Sequence, residues 1–209
     1  VAAGRAANIE DLDLDKAGVA FTRRGITVDK RLRTSNRRVY AIGDVAGGML
    51  LAHKASKEGI VCAEVIAGKP SQFDTTIIPA VVFTDPEIAS VGYTGAEARA
   101  KGFDAHEGQF PFAALGKALS SGESEGFVKV VADRKTQRLL GVHIVGTDAS
   151  SLLGEAGLAL EMGAVLEDLA LTIHAHPTLP EALMEAAEVA LGHPIHVVLK
   201  KGASPQKTA

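Results

Sequence analysis

FVKVVADRKTQRLLGVHIVG, residues 127–146, holds two runs rich in valine, leucine and isoleucine around a polar centre. Residues 127–132 and 139–145 read as strands and the polar 133–138 as their turn, which predicts a β-hairpin. Upstream, 80–83 and 88–91 flank Asp85-Pro86 and predict two more strands with a tight connection, while 103–112 alternates loosely as a further strand. Downstream the period changes. Leu152, Ala156, Ala159, Leu160 and Gly163 share one face at helical spacing, so a helix is expected from Asp148 onward and another over about 180–191. Strands grouped before helices predict an α+β fold with an antiparallel sheet.

The first third has a different texture. Residues 1–36 are rich in Gly, Asp and Arg, with islands such as Gly25-Ile26-Thr27-Val28, and suit irregular connections and short strands. Residues 39–42 form a short apolar run ending at Gly43-Asp44, which reads as a buried strand; 45–48 reads as flexible. A helix is expected over 50–67, stopped by Gly68-Lys69-Pro70. Thr94-Gly95-Ala96-Glu97 predicts a capping box, with Gly102 closing the short helix it opens. The domain boundary is expected near 76, giving units 1–76 and 77–200 and a polar, disordered tail at 201–209. Val1-Ala2-Ala3-Gly4 reads as the end of a buried strand entering a loop, as in a piece of a longer protein.

Composition removes several function classes. A net charge of −3 gives no global pull toward nucleic acid or an anionic membrane, and 4% aromatics without Trp make a base-stacking platform a poor fit. Lys30, Arg31, Arg33, Arg37 and Arg38 read as a solvated loop face. The single cysteine, Cys62, cannot form an internal disulfide, so a cytoplasmic protein is expected; inside a helix it reads as a small apolar side chain. Residues 152–173 are interrupted by Glu155, Glu161, Glu167 and Asp168 and do not read as a membrane span. No G-x-G-x-x-G occurs.

Two stretches can carry chemistry. Asp44, just past a strand at a glycine turn, can accept hydrogen bonds from sugar or polyol hydroxyls, or it can serve only the turn. The helix start near Leu50-Leu51-Ala52-His53 carries a partial positive charge that would stabilise an anion, or it is an ordinary amphipathic helix. HAHPTLPE, residues 174–181, leaves three readings open. Thr178 and Glu181 form a T-x-x-E capping box. His176 and Glu181 form an acid–base pair, the carboxylate fixing the imidazole tautomer. His174, His176 and Glu181 hold a metal, though no further ligand cluster is evident.

Taken in order, Val39-Tyr40-Ala41-Ile42-Gly43-Asp44, Leu51-Ala52-His53-Lys54, 79–87 (PAVVFTDPE) and 174–181 resemble the C-terminal half of the pyridine nucleotide–disulfide oxidoreductase family, its dihydrolipoamide dehydrogenase branch in particular. The resemblance covers nearly the whole chain. It implies the family's C-terminal dimerisation domain, an antiparallel sheet with helices, preceded by a returning fragment of the FAD-binding domain. Gly43 and Asp44 match the second FAD motif, and Leu50, Leu51, Ala52 and His53 the helix start facing the flavin. Gly4 matches a turn near NAD, although Ala7 stands where the family usually has Pro. His176 matches the acid–base His, Glu181 its orienting partner, and His174 a supporting His. Implied partners are a second copy in a homodimer, the lipoyl domain of a 2-oxo acid dehydrogenase acyltransferase and the upstream half of the enzyme, with FAD and NAD as cofactors. The redox disulfide and first FAD fingerprint are absent here, so this stretch alone is expected neither to hold FAD stably nor to turn over. Glutathione-reductase-like and mercuric-reductase-like enzymes remain alternatives; Leu179-Pro180-Glu181 and the 191–196 stretch favour the lipoamide branch, and the chain lacks the Cys pair that ends mercuric-reductase-like chains. A non-catalytic dimerisation module is the alternative of another class.

Overall fold

The structure is a computed structural model that describes residues 3–198. Val1, Ala2 and the expected polar tail at 201–209 lie outside the described residues. The chain separates into two compact units at Thr75 and Thr76.

In the first unit, β1 (Phe21–Thr22) and β2 (Gly25–Ile26) make a minimal antiparallel ribbon. Residues 39–42 do not form the buried strand their apolar character predicts. They pair only at Tyr40, through an isolated bridge to Arg33, and while Ala41 is buried, Ile42 is 39% exposed. The partner segment turns back within five residues, with the Thr34 hydroxyl donating to the Asn36 and Val39 carbonyls, so no longer ladder can form. Gly43–Ala46, part of which reads as flexible in sequence, is a 3-10 turn. α1 (Ala52–Ile66) follows, burying Val61, Cys62 and Val65 against Leu32. It ends as expected near Gly68, whose left-handed φ of 83° releases the chain.

The second unit is built on five antiparallel strands in the order β3-β4-β7-β6-β5. The elements are β3 (Ala80–Val82), β4 (Glu87–Gly92), α2 (Gly95–Ala100), β5 (Ala105–Pro111), α3 (Gly116–Ser121), β6 (Phe127–Asp133), β7 (Leu139–Gly146), α4 (Ala149–Met162), α5 (Leu166–Leu171) and α6 (Glu181–Leu191). The hairpin at 127–146 is the centre of the sheet. Val128 and Val130 of β6 with Val142 and Ile144 of β7 point into the main core, while Val131 and Leu140 join Ala98 and Ala105 in a second cluster. In β6 this is the period-2 alternation of a strand covered on both faces, while in β7 the register shift opposite Val131 and Ala132 turns Leu140 to the face opposite Val142 and Ile144. Thr94 and Glu97 form the capping box that opens α2. β5 stops at Pro111, one residue short of expectation, because Phe112 turns into a 3-10 segment and fills the space above Gly146.

Helix α4 lies over β4 and β7, and α6 over β5 and β6, with α5 against α6. α6 comes very close to the sheet. Its buried residues are Ala182, Leu183, Glu185, Ala186 and Ala187, and where Ala186 meets the sheet a Cβ built on Gly108 of β5 would stand 2.3 Å from the Ala186 carbonyl oxygen. Small residues on both sides thus fix the height of the helix that carries Glu181.

Candidate active site

Pro180 has helical dihedrals and is the N-cap of α6, so Glu181 is the first helical residue, not the third. The expected capping box is therefore only half made. The Thr178 hydroxyl donates to the Ala175 carbonyl oxygen at 2.6 Å, and so does not cap the helix. The Thr178 N–H does donate to Glu181 Oε2, at 2.7 Å. The other oxygen, Oε1, lies 2.9 Å from His176 Nδ1. One carboxylate therefore holds the turn and the imidazole together. Facing an acceptor, Nδ1 carries the hydrogen, which leaves the neutral ring's lone pair on Nε2.

The pair is asymmetric in exposure: the His176 side chain is 73% exposed and that of Glu181 13%. Burial pushes the Glu181 carboxyl up, but the Thr178 N–H and the hydrogen bond and charge of His176, aided by His174, outweigh it and hold the carboxyl below its ordinary range. Glu181 is thus kept ionised beside the ring.

The His174 side chain is 7% exposed and bonded at both nitrogens. Nε2 lies 2.8 Å from Glu155 Oε1 of α4, and Nδ1 2.9 Å from the Thr172 carbonyl oxygen. It pins the loop before α6 to α4. His174 and His176 thus turn to different carboxylates, and among the described residues no three His, Cys, Asp or Glu side chains gather as a metal site. Beside His176 is a cavity of about 210 Å³ lined by Phe110, Leu115, Leu119, Glu181, Glu185 and His196, among others. Gly116 sits over the ring edge, 3.5 Å from His176 Cε1 to its built Cβ.

The expected cofactor residues of the first unit form their own group. Gly43 is buried with φ 73°, and a Cβ there would crowd Ala55 at 3.3 Å. Its N–H donates to Glu58 Oε2 at 2.7 Å. Glu58 Oε1 pairs with Lys54 Nζ at 2.7 Å, and Lys54 donates to the Gly47 carbonyl at 3.0 Å. This buried pair fastens the turn to α1 and leaves Asp44 exposed at its tip. Leu51, the N-cap of α1, makes no side-chain cap, and no acidic residue occupies the first turn, so no acid there offsets the dipole at the helix start. Leu50 accepts from Arg5 through its carbonyl at 2.6 Å, next to Gly4, whose φ is 74°. Cys62 is buried, and burial pushes its thiol up, away from nucleophilic character.

Lys54, Glu58, Glu185 and His196 were not singled out as site residues in the sequence. The i,i+4 spacing of Lys54 and Glu58 signals an ion pair. The 11-residue separation of Glu185 and His196 carries no local signal.

Residues 78–187 match the family model of the pyridine nucleotide-disulphide oxidoreductase dimerisation domain, and residues 1–59 match the pyridine nucleotide-disulphide oxidoreductase model. The chain belongs to the pyridine nucleotide–disulphide oxidoreductase family. It is 56% identical over 199 residues to a dihydrolipoyl dehydrogenase of Halobacterium salinarum, covering 95% of this chain and 42% of that one. A dihydrolipoyl dehydrogenase of Geobacillus stearothermophilus is 52% identical over 201 residues, with 96% and 43% covered. Among solved structures, LpdA from Mycobacterium tuberculosis superposes with a TM-score of 0.81 at 30% identity, over 88% of this chain and 41% of that chain. The HOCl-induced flavoprotein disulfide reductase RclA from Escherichia coli gives 0.80 at 30%, over 87% and 42%. The chain spans less than half the length of these curated relatives. No helix among the described residues is long and apolar enough to cross a membrane.

Proposed function

We propose that this sequence is the C-terminal part of a dihydrolipoyl dehydrogenase, and that His176 is its acid–base group with Glu181 as the orienting partner. The observation that carries the reading is the 2.9 Å contact between His176 Nδ1 and a carboxylate already fixed by the Thr178 N–H. It leaves Nε2 on an exposed ring as the proton acceptor. The names of the relatives supply the substrate class, a dihydrolipoyl group.

In this reading Nε2 takes the proton of a substrate thiol. An ordinary thiol has a pKa of about 8.5 and is only a few per cent thiolate at neutral pH, so proton removal raises the nucleophile's concentration directly. The thiolate attacks a redox disulfide outside this sequence, and the sulfur it displaces leaves as a thiolate. Glu181 stabilises the imidazolium formed.

The residues of the first unit fit a flavin. The buried left-handed Gly43 lets the backbone turn tightly, Asp44 stands exposed to meet hydroxyls, and the α1 start at Leu50, Leu51, Ala52 and His53 offers a positive helix end. FAD bound there would supply two-electron transfer between the dithiol and NAD⁺, with Gly4 on the NAD side. The first unit is then the returning segment of the FAD domain and the second the dimerisation domain. A homodimer would bring His176 of one copy to the disulfide of the other, with the lipoyl domain of an acyltransferase as the docking partner, in the cytoplasm.

The test is His176→Gln in the full-length enzyme. Dihydrolipoamide-dependent turnover should fall by about 10²–10⁴-fold, while the flavin absorption spectrum is retained. Turnover within twofold of the parent would reject the role.

A further inference from the structure

Two hollows adjoin the segment 176–181. The larger, about 330 Å³, lies toward α4 among Lys117, Asp148, Glu155 and Pro177, and the His176 ring is not part of its wall. The smaller, about 210 Å³, has both His176 and Glu181 in its wall. It falls below the roughly 300–1,000 Å³ of clefts that enclose a drug-sized ligand, so it suits a slim segment of a molecule and not a whole cofactor.

The rest of that wall is mostly apolar. Phe110 of β5 is fully buried and Leu115 nearly so, and they make its floor. Ala114 and Leu119 stand at its edge, and Leu119 is 57% exposed. A single exposed leucine is ordinary. This one is one helical turn beyond Leu115, its N–H donating to the Leu115 carbonyl at 3.0 Å, so the two side chains share a face of α3 turned to the cavity. The polar members Glu185 and His196 are bonded to each other. The first residue of α3 meets the ring itself: a Cβ on Gly116 would lie 3.5 Å from His176 Cε1, the carbon bonded to Nε2. The apolar wall therefore begins beside the nitrogen assigned to take the proton.

We propose that this cavity seats the acyl chain of the dihydrolipoyl substrate, with Leu119 and Ala114 setting the chain length it prefers. The inference rests on the assignment of His176 as the acid–base group. The substrate carries its two thiols at one end of a run of methylenes and an amide at the other. With a thiol at Nε2, the α3 wall lies alongside that run. Laying the methylenes against Leu115 and Leu119 removes apolar surface of both partners from water. The larger hollow is the poorer fit, because a carbon chain gains nothing from Lys117, Asp148 and Glu155 and the ring does not open onto it. Contacts to methylenes remote from the reacting sulfur are equal in the ground state and the transition state, so they appear in KM and not in kcat.

The experiment compares dihydrolipoamide with its homologue shortened by two methylenes, as kcat/KM in the full-length holoenzyme, for the parent, Leu119→Asn, Ala114→Leu and His176→Gln. In the parent the shorter homologue should be poorer by about tenfold, mostly through KM. Leu119→Asn keeps the side-chain size but makes it polar, and should narrow that gap to about threefold or less. Ala114→Leu fills the cavity, excludes the longer chain more than the shorter, and should narrow the gap as well. A purely structural role for these residues would lower both substrates alike and leave the gap as it was. A parent gap under twofold, or a Leu119→Asn gap within twofold of the parent's, overturns the inference; should Leu119→Asn fail to fold, the same criterion applies to Ala114→Leu. His176→Gln separates the two ideas. If it stays active on dihydrolipoamide, the assignment of the base fails; if it is inactive while the gap is unchanged in the other variants, only the chain seat fails.

Discussion

Replacing Gly108 by Ala tests whether the height of α6 above the sheet is what aligns the site. The added Cβ would stand 2.3 Å from the Ala186 carbonyl oxygen, 2.5 Å from the Ala190 nitrogen and 2.7 Å from the Ala190 Cβ. Two of those atoms are backbone and cannot swing aside, so relief requires moving the helix or the strand by about 1 Å to restore contacts near 3.5 Å. β5 is hydrogen-bonded along its length to β6 from Ala105 to Pro111, which makes α6 the element that yields. Overpacking of this kind costs about 1–3 kcal/mol, and a backbone collision belongs at the upper end. For a unit of this size that is a fall of about 10 °C in melting temperature. The assay is thermal unfolding of the full-length protein followed by circular dichroism, with kcat/KM measured on the same preparations. Activity should fall as well, because α6 carries Glu181 while His176 is anchored through the loop by His174 to α4. Gly116→Ala is the internal comparison, since its Cβ meets only the His176 ring edge at an ordinary 3.5 Å. A Gly108→Ala protein melting within 2 °C of the parent would show that α6 is free to ride outward, and would refute the argument; that margin is roughly the effect of half a kcal/mol.

Three further outcomes are expected. Glu181→Gln should lower kcat/KM for dihydrolipoamide by about 10–100-fold, the value of a charge-assisted hydrogen bond of about 1.5–3 kcal/mol, with the flavin spectrum kept; rates within twofold would remove the need for charge at that position. Glu58→Ala leaves Lys54 buried without its carboxylate and the Gly43 N–H without its acceptor, and should destabilise the first unit by about 3–5 kcal/mol and loosen flavin retention, read by denaturant unfolding and by filtration of released flavin. The second unit should lose stability on acidification. Glu87, Glu97, Asp133 and Glu181 all have carboxyls held below their ordinary range, so their contributions are complete above about pH 5 and disappear as pH falls through the depressed values; a urea midpoint that does not fall between pH 5 and pH 3 would contradict this.

The sheet was legible because its signals are local. The 127–146 hairpin, the strands at β3 and β4 and the Thr94 box each depend on a few neighbouring residues. What sequence could not give was pairing between distant segments. Residues 39–42 have the composition of a buried strand, yet their partner is a five-residue turn, and nothing within the run reports that. α3 has no strong periodic signal over its six residues and emerged only with the fold. Glu87 is another such case. Its carboxylate leaves β4 and accepts the Ser150 N–H at 2.8 Å, serving the start of α4, whose own N-cap Asp148 makes no side-chain cap. A cap supplied from 63 residues away is invisible to any capping motif. The His176–Glu181 pair could be read from the sequence, while Glu185–His196 could not, because the second pair depends on a return of the chain that spacing alone does not encode.

The capping and acid–base readings of 174–181 compete in sequence because each claims the same glutamate. In the structure they do not compete, since an ionised carboxylate has two oxygens and accepts on both. The consequence is specific to charge and symmetry. A glutamine at 181 has one acceptor oxygen. If that oxygen stays with the Thr178 N–H, the amide NH₂ faces His176 Nδ1, which must then be the unprotonated nitrogen, and the hydrogen moves to Nε2. The exposed nitrogen would become a donor and the neutral ring could no longer take a proton there. If the amide flips to keep the tautomer, the Thr178 N–H at the entry to α6 loses its acceptor. Either choice gives up one of the two hydrogen bonds that Glu181 accepts together, so under the proposed role a neutral isostere at 181 should lose either the tautomer or the turn.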